Sequence, residues 1–114
     1  MTPRFEVLEE VELLEFFGAD PVERSAEDGY RCYVVTDGRG VTLRFSFNVF
    51  ERSVQTVVSL GGTNIATVSH EAADRMVVRD GRLRCEFSSE DSKTALSVET
   101  GRTLSVVWST LRTR

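Results

Sequence analysis

The stretch VTLRFSFNV at residues 41–49 alternates without a break. Val41, Leu43, Phe45, Phe47 and Val49 point one way, and Thr42, Arg44, Ser46 and Asn48 point the other. Only an extended chain sends successive side chains to opposite sides, so this is a strand with one wet and one buried face. A parallel sheet, covered on both faces, would read as a continuous apolar run instead. The stretch therefore belongs to an antiparallel sheet.

The same signature continues toward the C-terminus. Residues 30–36, 53–60, 65–69, 75–79, 82–87, 94–99 and 103–109 read as further strands, with turns at Asp37–Gly40, Gly61–Asn64, Asp80-Gly81 and Gly101. Turn residues at intervals of about 8–12 are the mark of an all-β sandwich or barrel. No proline follows Pro21, which suits strands throughout. The expected buried set is Leu43, Phe45, Phe47, Val58, Leu83, Phe87, Leu96, Val106 and Trp108.

Toward the N-terminus the period changes. Residues 5–17, FEVLEEVELLEFF, read as a helix capped by Thr2, with Pro3 at its first position and Gly18 ending it. Val7, Leu8, Val11 and Leu14 fall on one helical stripe, while Leu13, Phe16 and Phe17 lie off it. Residues 18–29 form a polar connector. The expectation is a mainly β fold. One N-terminal helix is followed by about eight short antiparallel strands, as a sandwich or partly open barrel. The whole is a single domain over 1–114, with its β part at 30–110. The 114 residues suffice for a hydrophobic core without disulfides or metals.

Net charge is −4, unevenly spread. Residues 1–28 hold nine acids against Arg4 and Arg24, net −7, whereas the remainder is net +3. Nucleic-acid binding needs a clustered basic surface, so it is disfavoured; a basic protein partner is the better match. Glu6, Glu9, Glu12, Glu15, Asp20 and Glu23 are the candidate partner-binding residues, with Glu10 among them in sequence. Like charges at helical spacing repel by a few tenths of a kcal/mol per pair, so something must offset them. The candidates are strand arginines such as Arg82 and Arg84, or the partner. Arg44, Ser46 and Asn48, extended by Gln55 or Thr56 according to register, form a secondary candidate surface of hydrogen-bonding groups.

Reactive chemistry is sparse. His70 is the only histidine, and Cys32 and Cys85 are 53 positions apart with no CxxC spacing. Neither a nucleophile–base pair nor a zinc shell assembles readily from these. Gly38-Arg39-Gly40 sits in a hairpin with no helix after it, so it is a turn and not a phosphate loop. No catalytic residue, metal or cofactor is expected. There is no apolar run of bilayer length and no leader pattern, so the expected location is the cytoplasm, with reduced thiols. Thirteen of the fourteen basic residues are arginine, the bias of a GC-rich genome, so a bacterial source is expected.

No motif assigns the chain to a family. Its profile is similar in kind to the small cytoplasmic immunity proteins of bacterial toxin systems, which are acidic, single-domain, non-enzymatic and diverse in fold. The similarity rests on size, charge and missing chemistry, and it carries over no residue-level site. The functional expectation is a non-enzymatic, acidic protein-binding domain, of which a toxin-neutralising immunity protein is the sharpest form. A small-molecule-binding β-barrel is the alternative. Oligomeric state is left open.

Overall fold

A computed structural model describes residues 3–112. It contains one helix, α1 (Glu10–Phe17), and nine strands. β1 (Glu23–Ser25), β2 (Tyr30–Thr36), β3 (Val41–Asn48), β4 (Ser53–Leu60) and β5 (Thr63–His70) form one antiparallel sheet in that order. β6 (Ala73–Arg79), β7 (Arg82–Ser88), β8 (Ser92–Glu99) and β9 (Ser105–Arg112) form the second, also antiparallel and in chain order. The result is a sandwich of two open sheets, so the closed barrel required by the small-molecule alternative is not formed.

Strand register follows the alternation. Tyr33 lies opposite Phe45 and Leu43 opposite Val58 in the first sheet. Cys85 lies opposite Leu96 in the second. The inner faces meet in one apolar cluster that includes Phe45, Phe47, Leu83, Phe87 and Leu96. Six of the nine expected core residues are buried; Val58, Val106 and Trp108 are half-buried and pack against the cluster. Val58 lies on β4, next to the edge strand β5, and Val106 and Trp108 lie on the edge strand β9. The β6–β7 hairpin turns on Asp80 and Gly81, both at positive φ (54° and 76°), the geometry that a two-residue turn between right-twisted strands demands.

The N-terminal reading needs correction. The helix expected over residues 5–17 begins only at Glu10. Before it, the backbone at Glu6 pairs in parallel with Arg75: Glu6 N–H donates to the Asp74 carbonyl at 3.0 Å, and Met76 N–H donates to Glu6 at 2.8 Å. This segment borders β6 and satisfies backbone groups that a lone edge would leave to water. Phe5 and Leu8 are buried from it. Within α1 the buried pair is Leu13 and Phe17, one turn apart, while Val11 and Leu14 are exposed, so the expected apolar stripe is not the packed face. Phe17 stacks on Tyr33 at 4.7 Å and reaches Phe45 at 5.5 Å, seating the helix on the inner face of the first sheet. Gly18, at φ 71°, ends the helix as expected. Thr2, the expected cap, lies outside the described residues. The connector at 18–29 contains β1, which is too short for periodicity to reveal.

The two sheets are tied by a few polar contacts. Asp37 is buried in the β2–β3 turn and accepts from the backbone N–H of Arg39, Val41 and Leu104, as well as from the Arg39 guanidinium. The Leu104 bond, at 2.9 Å, crosses to the second sheet just before β9. At the other end, Arg52 donates to the Ala73 carbonyl and to Asp74, both at 3.0 Å.

Candidate protein-interaction surface

The acidic residues of the N-terminal segment are close in sequence but do not form one face. Glu9 and Glu12 close a capping box, in which the Glu9 N–H donates to Glu12 Oε1 at 3.1 Å and the Glu9 carboxylate accepts from the N3 backbone. Both therefore serve two of the donors that a helix start leaves unpaired. Glu10 pairs with Arg24 at 2.6 Å and Arg31 at 3.1 Å. Glu23 lies on the outer face of the first sheet, where it pairs with Arg44 and accepts from the Tyr30 hydroxyl at 3.1 Å. Glu6, Glu15 and Asp20 are exposed, and no ion pair to them occurs among the described residues.

The repulsion within the acidic segment is thus offset by Arg24, Arg31 and Arg44. Arg82 and Arg84, the expected partners, pair instead with Glu99 and Glu86 in the second sheet. Surface pairs of this kind contribute only about 0–1 kcal/mol each. They leave the exposed end of α1 and the loops beside it negatively charged.

Phe50 is the feature that sequence reasoning missed. It follows β3 at the point where alternation stops, and the residue is 70% exposed. It lies against Gly29, which has φ 69°; a Cβ there would sit 3.0 Å from the ring, so only glycine fits both the backbone and the contact. On one side of Phe50 is a hollow of about 280 Å³ lined by Glu10, Arg24, Tyr30 and Arg31. On the other is a shallower depression bordered by Glu27, Asp28, Asn48 and Glu51. Phe50 is thus an exposed aromatic ring with carboxylates on one side and the ion-paired Glu10, Arg24 and Arg31 on the other, an apolar group within a charged border and a candidate anchor for a protein partner. The signal in the sequence was an aromatic directly after a strand, followed by Glu51-Arg52.

Arg44, Ser46 and Asn48 lie in a row on one face of β3 and are internally engaged. Gln55 stands opposite Ser46 and donates to Ser69 Oγ at 2.8 Å, so it extends the row. Thr56 points inward and accepts from Trp108 Nε1 at 2.9 Å. Ser46 is buried, Asn48 accepts from the Glu51 N–H at 2.9 Å, and Arg44 is held by Glu23. Cys32 is buried on this face with its thiol pushed up by burial, and the same cause raises Tyr30. These groups brace one another more than they present donors to a ligand.

His70 is set among apolar neighbours. Its ring lies 4.8 Å from Phe87 and is stacked on Trp108 at 6.2 Å, and Nδ1 is 2.7 Å from the Glu71 carbonyl. Such contacts contribute about 0.5–1.5 kcal/mol as aromatic packing. His70→Ala should therefore lower stability in urea by about 1 kcal/mol and leave partner binding unchanged; lost binding at unchanged stability would contradict this placement. Cys32 and Cys85 are free, buried and on different sheets, and burial raises the Cys85 thiol strongly. Among the described residues, no group of three His, Cys, Asp or Glu is placed to hold a metal ion. No helix among them is long and apolar enough to cross a membrane.

No family model matches the chain, and no curated protein matches its sequence. The fold, however, has a solved counterpart. A chain of the contact-dependent growth inhibition toxin–immunity protein complex from Klebsiella pneumoniae 342 is similar to this one, with a TM-score of 0.85. The similarity covers 93% of this chain and 96% of that chain, at 20% identity. The two therefore share a fold nearly end to end.

Proposed function

We propose that this protein is a non-enzymatic immunity protein that neutralises a bacterial toxin by binding it in the cytoplasm. The observation that carries the reading is the end-to-end likeness in fold to a chain of a toxin–immunity protein complex. Two features favour the immunity role over the toxin role. The chain is acidic, with net −7 in its first 28 residues, and its one histidine is packed between Phe87 and Trp108. A protein that blocks a basic toxin needs a negative surface and an anchor, and no reactive centre of its own.

The binding surface in this proposal centres on Phe50, with Glu27, Asp28 and Glu51 as its acidic surround; Glu15 and Asp20, exposed at and beyond the opposite end of α1 from Glu10, add long-range negative charge. Phe50 supplies apolar burial, which slows dissociation. The carboxylates supply long-range attraction, which speeds encounter and weakens with salt. Of the six carboxylates expected from the sequence, Glu15 and Asp20 are kept in this proposal, while Glu6 lies beside β6 of the second sheet and is left out of it. Glu9 and Glu12 are assigned to helix capping, and Glu23 to the Arg44 and Tyr30 contacts.

The two contributions separate kinetically. Phe50→Ala should speed dissociation about 30-fold, as expected for loss of a roughly 2 kcal/mol anchor. The Glu15→Lys, Asp20→Lys double variant should slow association several-fold at low salt with an unchanged unfolding midpoint, since neither carboxylate holds an ion pair and a lysine near a helix C-terminus is favourable. Surface plasmon resonance against the captured partner at two ionic strengths reads both. An unchanged rate constant in both variants would remove this face from the interface.

A further inference from the structure

The sandwich has four sheet edges, and they are not treated alike. β6 is bordered by the N-terminal segment through the Glu6–Arg75 bridge. β1 is only three residues long and carries Glu23 and Arg24. β9 is as long as β5 and uncharged from Ser105 to Leu111, but carries Arg112 at its end. β5 alone among the long edges has no charged residue anywhere along it. It is eight residues long, reads TNIATVSH, and contains no Lys, Arg, Asp, Glu or Pro. Thr63 to Thr67 are all exposed, with Ile65 at 62%, and Leu60 beside them is exposed too. Natural edge strands are normally blunted by charge, proline or brevity, because an open ladder recruits another strand. Here the only such device is a bulge, where Ile65 is the extra residue between the Val58–Ala66 and Ser59–Asn64 pairs.

We infer that the β5 edge pairs with β5 of a second copy of this chain, antiparallel across a two-fold axis, joining two five-stranded sheets into one. The bulge sets the register. Ala66–His70 is the regular part of the strand, so the axis passes at Val68 and places Ala66 of one copy opposite His70 of the other. Such an interface is isologous, as a two-fold requires.

Charge distribution selects a second copy. The chain is net −4, so two copies repel wherever their acids meet. The acidic segment lies at α1 and β1, and β1 is the opposite edge of the same sheet. Four strand spacings separate β1 from β5, about 19 Å. That exceeds twice the roughly 8 Å screening length at physiological salt. Association through β5 therefore keeps both acidic ends away from the axis and leaves the Phe50 surface free. An uncharged strand also meets its own copy with no like-charge pair, whereas a basic partner gains nothing from docking there. Eight residues per side fall well short of the roughly 20–30 of a standard interface, so the dimer belongs to the weak, transient class.

The test is sedimentation velocity of the purified chain, loaded from about 5 μM to about 1 mM so that mass action can populate a weak dimer. The weight-average mass should climb from the chain's 12.8 kDa toward twice that value. Thr67→Lys and Ile65→Lys place charge at exposed edge positions and should hold the protein at monomer mass throughout, with unchanged circular dichroism and urea midpoint. Thr67→Val, which keeps the edge uncharged, should dimerise like the parent. A parent that stays monomeric across the range overturns the inference. So does a dimer that survives both lysine variants, because it would use another face. Toxin neutralisation by the lysine variants should be intact, so failure here is distinguishable from failure of the immunity reading.

Discussion

Phe45→Ala should lower the unfolding free energy by about 3–5 kcal/mol, enough to remove much of the stability of an ordinary domain. Phe45 is fully buried on β3, the central strand of the first sheet, and its ring sits 5.5 Å from Phe17 and 6.0 Å from Phe47. It thus joins helix and sheet at one point. Truncation loses the transfer free energy of the ring and opens a cavity that strands fixed on both sides cannot close. Urea denaturation followed by tryptophan fluorescence reads the change, since Trp108 is the only tryptophan. An unchanged midpoint would mean that the sheet presents its other face to the core.

Asp37→Ala is the polar substitution expected to cost most. The carboxylate collects the backbone N–H groups of Arg39, Val41 and Leu104 and the Arg39 guanidinium. Without it all three backbone donors lose this partner, and leaving the buried Leu104 N–H unpaired costs about 1–3 kcal/mol. The backbone bond from Leu104, followed by those from Arg39, holds the Asp37 carboxyl well below the usual carboxylate range. A folded-state value below the unfolded one means that the stabilisation is fully present above the unfolded value. It is lost as pH falls through the folded one. The parent's urea midpoint should therefore fall as pH drops below about 4, the unfolded range of an aspartate. In Asp37→Asn the midpoint should be lower at neutral pH and flatter through the acid range. Parallel curves for the two proteins would show that Asp37 does not carry this linkage.

How much of this was legible depended on whether periodicity or tertiary contact decided the local structure. β3 could be read from the sequence because Phe45 and Phe47 sit on a face dictated by period two, whereas the register of β4, and so whether Gln55 or Thr56 faces outward, is settled only by pairing with β3. The Asp80-Gly81 turn declared itself by the φ values that only such a dipeptide tolerates readily. The stretch before α1 could not be read the same way. Phe5, Leu8 and Val11 have helical spacing, and what keeps Phe5 and Leu8 out of the helix is a backbone pairing with Arg75, seventy positions away in effect and invisible locally. The interaction surface was hidden for a related reason. Glu9, Glu12 and Glu23 are acidic neighbours in sequence, yet each is absorbed by a cap or an arginine from another element. Glu27, Asp28 and Glu51 come together around Phe50 only through the β1–β2 and β3–β4 connections.

Growth rescue measures whether this chain, as proposed, neutralises a toxin through the Phe50 surface. A basic protein captured by the chain from its native host is expressed in a sensitive strain, alone and together with the chain or its variants. The captured protein alone should arrest growth, the parent chain should restore it fully, and Phe50→Ala combined with Glu15→Lys and Asp20→Lys should rescue it poorly. A captured partner that never arrests growth, or arrest caused by this chain itself, would contradict the proposal.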